Sequence, residues 1–179
     1  MVTTLDLALT TASGVWFTIV ARRSGRSGLP RSTSVWVPPG SAETRLLFAD
    51  LESARSRVWW TLRGLPIRAP DLREGRGPAL ARVDVGDLIV VDALNPEGLA
   101  AADLPATFPF EADGTRVAPT RCRTVVARAH GLRADGVLSR PWAGCSGIEL
   151  VYFPRQRPVR FLSAPQPFER WFWGTEAVV

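Results

Sequence analysis

Lysine is absent from this chain, and all 22 basic residues are arginine. With the many Ala, Gly and Pro residues, that bias reads as the mark of a GC-rich genome before it reads as function. Histidine is almost absent too, with His130 alone, and there are two cysteines, Cys122 and Cys145. Without a C-x-x-C pair or a Cys/His cluster, a zinc site is excluded as a reading. A Ser-His-Asp hydrolase would have to use His130, which sits at a probable helix end beside Gly131 where a cation is simply favourable, and no G-x-S-x-G is present. No D-x-D or E-x-E pair marks a two-metal hydrolase. No G-x-x-x-x-G-K cradles a phosphate.

Long apolar runs are missing as well, so no segment reads as a membrane span. The first residues, MVTTLDLALTTASG, lack a positive leader region and carry Asp6, which argues against a signal peptide and for a cytoplasmic protein. There the two cysteines are expected reduced. The net charge of +5 and pI near 10.8 attract phosphates or acidic partners. The arginines are scattered, however, and no block of five marks a dedicated nucleic-acid face.

What is present fits one domain of 179 residues, with a core over about 15–162 and an aromatic tail over 163–179. Strands are predicted at Val15 to Val20, Val35 to Val37, Arg45 to Ala49, Leu80 to Val85 and Leu88 to Val91 (two strands, or one strand bent around Gly86-Asp87), Gly136 to Leu138, Ile148 to Phe153 and Val159 to Leu162. The clearest helix starts at an Asp50 cap, buries Leu51, Ala54, Val58, Trp59 and Leu62, turns Glu52, Arg55, Arg57 and Arg63 outward, and ends at Gly64. Asn95-Pro96 starts a short helix, and Thr120 opens another that closes at Gly131. Interleaved strands with few short helices indicate α+β and a mostly antiparallel sheet system. The tail FERWFWGTEAVV reads as an aromatic plug on the core, with a partner surface as the rival reading.

The stretch from Ala127 to Pro154 organises the chain. Two apolar strands that look buried flank an exposed Ser139-Arg140 pair and a Gly-rich loop, the arrangement of a strand-end site. A guanidinium fork grips phosphate, and a hydroxyl there can bond a ribose.

The order of G-L-R-A-D-G-V-L-S-R, a short loop and E-L-V-Y-F, preceded by RLLFADLESARSRVWW and VGDLIVVDALNPEGL, resembles the RES-domain family. The resemblance implies an ADP-ribosyltransferase-like fold of split, mostly antiparallel sheets. It also implies an NAD-consuming toxin, with NAD as substrate, neutralised by a helix-turn-helix antitoxin. On it, Ser139 matches the family's serine, Arg31 its arginine and Phe48 the position usually held by tyrosine. The family's glutamate falls near Arg57, which leaves Glu52, one turn earlier, or Glu149 to supply the carboxylate. The expected set is thus Ser139 and Glu52 in catalysis, with Arg31, Phe48 and Arg140 binding NAD. A degenerate member acting as a protein-binding module, and a nucleic-acid-binding domain, are the alternatives. Ser32-Thr33-Ser34 is similar to a strand motif of arginine-type ADP-ribosyltransferases and points to the same ligand class.

Overall fold

The computed structural model describes residues 6–20, 35–37, 44–66, 77–142, 146–154 and 158–173. Its strands are β1 (Leu9–Ala12), β2 (Val15–Val20), β3 (Arg45–Phe48), β4 (Ala79–Asp84), β5 (Leu88–Ala93), β6 (Gly136–Ser139), β7 (Glu149–Tyr152) and β8 (Arg160–Phe161). The helices are α1 (Leu51–Leu62), α2 (Pro96–Ala101), α3 (Pro119–Gly131) and α4 (Phe168–Trp173). All eight strands join one mixed sheet in the order β1-β5-β6-β7-β3-β2-β4-β8. Every ladder is antiparallel except β5–β6. The protein is therefore α+β. The expected split is not a gap, because the β3–β7 ladder joins the two four-stranded halves.

The sheet has to roll. β1 and β2 are five places apart in it yet are joined by Ser13 and Gly14 alone. Five strand spacings in a flat sheet measure about 24 Å, whereas that short link reaches about 11 Å. The link from β4 to β5, equally far apart, is Val85, Gly86 and Asp87. Both corners turn on a glycine with positive φ, Gly14 at 82° and Gly86 at 60°, a region that costs other residues steric strain. The predicted bend around Gly86-Asp87 is one of these corners. The inner face of the roll holds Trp16, Leu47, Val83, Val90, Leu150 and Tyr152 in one core cluster.

Helices cover the other face. Over β5, β6 and β7, α3 packs Cys122, Val125, Val126 and Ala129 against Val91, Val137 and Val151, together with Leu99 of α2. Over β3, β2 and β4, Ala54 and Val58 of α1 and Phe168, Trp171 and Phe172 of α4 pack on Phe48, Ile19 and Leu80. The tail's aromatics thus serve the core, and only Trp173 of this helix's rings lies half exposed.

α1 forms where its sequence dictates. Asp50 accepts from the Ser53 backbone N–H at 2.7 Å and from its hydroxyl at 2.9 Å, a cap worth about 1 kcal/mol. Two of its residues face the other way from expectation. Arg57 is buried and Trp59 is 52% exposed, because Trp59 packs sideways on the rings of Phe172 and Trp173. Arg63 is the C-cap, and Gly64 stands just past the helix end, where it was expected. α3 begins at Pro119, and Gly131 is its last residue. Val35 to Val37 form a turn instead of a strand, while β1, too short and polar to stand out, was not anticipated. Among the described residues, no helix is long and apolar enough to cross a membrane.

Candidate functional site

The pairing registers place one row of side chains across the helix-covered face: Ala93, Ser139, Glu149, Phe48, Phe17 and Arg82, on β5, β6, β7, β3, β2 and β4. Directly paired residues share a face and lie about 5 Å apart at Cβ. Ser139 and Glu149 are neighbours in this row, and Glu149 and Phe48 are the next pair. Glu149 stands at the seam where the half covered by α3 meets the half covered by α1.

Polar groups in this row are sealed in. Ser139 is wholly buried, and its Oγ has no hydrogen-bond partner among the described residues. The expected exposed serine is thus corrected; its neighbour Arg140 is the exposed one, because alternation along β6 turns Ser139 inward under the helices. Glu149 is 2% exposed. Its Oε1 accepts from the Trp36 indole at 3.3 Å, and its Oε2 has no partner among the described residues. Burial pushes its carboxyl above the usual range, against the opposing pull of the Arg57 guanidinium, the Trp36 indole and the Trp142 backbone N–H. Arg57 on α1 is also 2% exposed.

Beyond Ala93, Ser139 and Glu149 opens a cleft of about 380 Å³. Leu94, Arg140 and Gly147 line it from the ends of β5, β6 and β7, with Thr107, Phe108 and Phe110 opposite. Arg140 donates to the Phe108 carbonyl at 3.3 Å. Gly147 crosses the α1 cap so closely that a Cβ there would fall 1.8 Å from Ser53 Oγ. Next to the cleft runs a ladder of rings and guanidinium groups. Arg116 lies 5.0 Å from the Phe110 ring and 4.8 Å from that of Trp142. Trp142 meets Trp60 edge to face at 6.3 Å, and Arg57 lies 5.2 Å from the Trp60 ring. Trp142 donates its indole N–H to the Val117 carbonyl and accepts an Arg116 N–H on its own carbonyl.

Of the residues singled out from sequence, the structure gathers Ser139, Glu149, Phe48 and Arg140 at one end of the sheet, so that of the two carboxylates considered it is Glu149 that lies beside Ser139. Phe48 is a core residue there, 1% exposed under α1. Glu52 is elsewhere. Its side chain is 72% exposed and pairs with Arg55 at 2.6 Å, because it sits on the outer side of the first turn of α1. Arg31 and the triplet Ser32-Thr33-Ser34 lie outside the described residues. Trp36, Trp142 and the inward turn of Arg57 went unread. A tryptophan flanked by Ser34 and Pro38-Pro39 was a signal that something packs there, but not what.

Chemically the set offers a guanidinium and two rings in an open cleft, with a buried hydroxyl and carboxyl on the strands that end at it. These suit an anion with an attached ring or sugar. Cys122, pushed up to about 12 by burial, is inert.

No family model matches the chain, and no curated protein matches it. Among solved structures it is similar to a chain in the crystal structure of the M. tuberculosis MbcT-MbcA toxin-antitoxin complex, with a TM-score of 0.70 and 19% identity over 91% of this chain and 89% of that one. The TM-score establishes a shared fold, and at 19% identity the likeness speaks for the fold alone.

Proposed function

We propose that this chain is a toxin that consumes NAD, on an ADP-ribosyltransferase-like fold. The observation that carries the reading is the pairing of Ser139 with Glu149 on adjacent strands, each with an oxygen that has no hydrogen-bond partner among the described residues, next to strand ends that line a cleft with Arg140. The RES resemblance and the fold shared with a chain of a toxin–antitoxin complex support it. Arg140, with Arg31, grips the pyrophosphate. Ser139 orients the nicotinamide ribose. In the reaction the N-glycosidic bond breaks, its electron pair leaves with the nicotinamide nitrogen, and water, phosphate or a target side chain bonds to the ribose carbon. The intermediate charge is oxocarbenium-like, and a carboxylate stabilises it. A helix-turn-helix antitoxin is the partner this reading implies.

NAD loss with the purified protein, with and without phosphate, is the test. Ser139→Ala is expected to lower turnover on the order of 100-fold, as loss of a placed donor does. Wild-type rates in that variant would remove Ser139 from the assignment.

One observation favours a second reading, a degenerate relative that binds a protein partner without turnover. Ser139 is sealed from solvent, and a guanidinium occupies the place where the resemblance expects glutamate. A folded wild type that leaves NAD intact would select it.

A further inference from the structure

We infer that Arg57 and Glu149 form one positioning pair across the seam between α1 and β7, with Glu149 as the carboxylate of the site and Arg57 as the residue that holds it. This rests on the NAD-consuming reading. Both side chains are 2% exposed, and a guanidinium left in a core without a counter-charge is strongly unfavourable. α1 lays Ala54 and Val58 on Phe48, and Phe48 is the strand neighbour of Glu149, so the inner face of α1 passes over the carboxyl. Of the influences that favour an ionised Glu149, the Arg57 charge is the strongest.

Each member is then braced from the far side. Arg57 stacks on Trp60, Trp60 meets Trp142, and Arg116 lies between the rings of Trp142 and Phe110. Glu149 has Oε1 tied to the Trp36 indole and Oε2 open, beside the open Oγ of Ser139. A buried carboxylate oxygen without a hydrogen-bond partner among the described residues calls for an explanation, and a role in the site supplies one. The other groups around it are the Trp142 backbone N–H and Cys122 of α3, whose thiol stays neutral.

The test compares wild type with Glu149→Gln, Arg57→Lys and Arg57→Leu, reading Tm against pH and NAD turnover. A folded-state carboxyl raised above its unfolded value loses stability as pH rises past about 4.3, the ordinary glutamate value. Wild type is expected to show that fall in Tm, Glu149→Gln to lack it, Arg57→Lys to keep it unchanged and Arg57→Leu to steepen it. Glu149→Gln is expected to lose turnover on the order of 100-fold with KM for NAD little changed, and Arg57→Lys to retain most of it.

Identical pH profiles in wild type, Arg57→Leu and Glu149→Gln would overturn the pair. Profiles as expected with full turnover in Glu149→Gln would overturn its role as the site's carboxylate. A wild type that consumes no NAD would overturn the underlying reading and Glu149's part in it, while the pH profiles would still decide whether the two residues are coupled.

Discussion

Asp92 and Glu149 are both buried carboxylates on strands that flank β6, and the fold treats them in opposite ways. Asp92, 7% exposed, accepts from the backbone N–H groups of Leu94 at 2.8 Å and Asn95 at 3.1 Å and from the Asn95 amide at 2.7 Å. Burial acts to raise its carboxyl, but these three donors outweigh burial and hold it below the usual range. Glu149 has the Trp36 indole and the Trp142 backbone N–H beside it, one oxygen without a partner among the described residues, and a net upward shift caused by burial. The first carboxylate is spent on a turn, where it shapes the entry to α2. The second is left with unused capacity next to a serine in the same condition. Burial alone does not mark a functional acid; burial with incomplete bonding does.

The comparison can be broken in solution, starting with the turn. Asp92→Ala strands three donors and is expected to cost about 2 kcal/mol, read by urea unfolding at pH 7; a negligible loss would mean the donors are satisfied by water. The pH dependences sharpen the contrast. For Asp92→Asn, the deficit relative to wild type is expected to shrink as pH falls through the aspartate's lowered native value, because the stability held by a depressed carboxyl is present above about pH 3.9. For Glu149→Gln, the difference from wild type moves the other way, with the variant gaining on wild type as pH rises. Parallel trends in the two variants would end the distinction. Asp50 provides a calibration at the surface, where Asp50→Ala is expected to cost about 1 kcal/mol by removing the cap of α1. Smallest of all, Glu52→Gln is expected to change stability by less than about 0.5 kcal/mol, since its exposed pair with Arg55 is worth little, and to leave NAD turnover intact. A large loss of turnover in Glu52→Gln would return Glu52 to the site.

Local signals carried most of the elements. The Asp50 cap, the Asn95-Pro96 start and the apolar runs of β2, β5 and β7 were legible because each depends on a few adjacent residues. The mixed α+β character followed from their irregular alternation. Ser139 and Arg140 were legible as a strand-end pair, but which of them faced inward was not, because that depends on the sheet face that α3 covers. Arg57 and Trp59 were assigned to opposite faces from those they occupy. Helical periodicity ranks residues by polarity, and here long-range packing reverses the ranking, because the rings of Phe172 and Trp173 hold Trp59 on the outer side. Glu149 itself stood at the start of an apolar strand with nothing nearby in sequence to say that two sheet halves meet over it. The roll of the sheet was also invisible locally, since it follows from which strands are joined across Gly14 and Gly86.

Those two corners have a consequence for how the chain comes into being. Because they send the polypeptide back and forth between the halves, each half is built from early and late strands: Leu9 pairs with Val91, and Val83 waits for Phe161, 78 positions later (161 − 83). Neither half can be completed by a growing chain on its own. Contacts of such separation close slowly and after much of the chain is available, and a nascent chain emerges at roughly 5–20 residues per second. β7 emerges last of the three strands that carry Ser139, Glu149 and Phe48. A chain that has not yet reached β7 therefore holds the row only as two separate pieces, without Glu149 to join them, and whatever the complete row does has to wait for that strand.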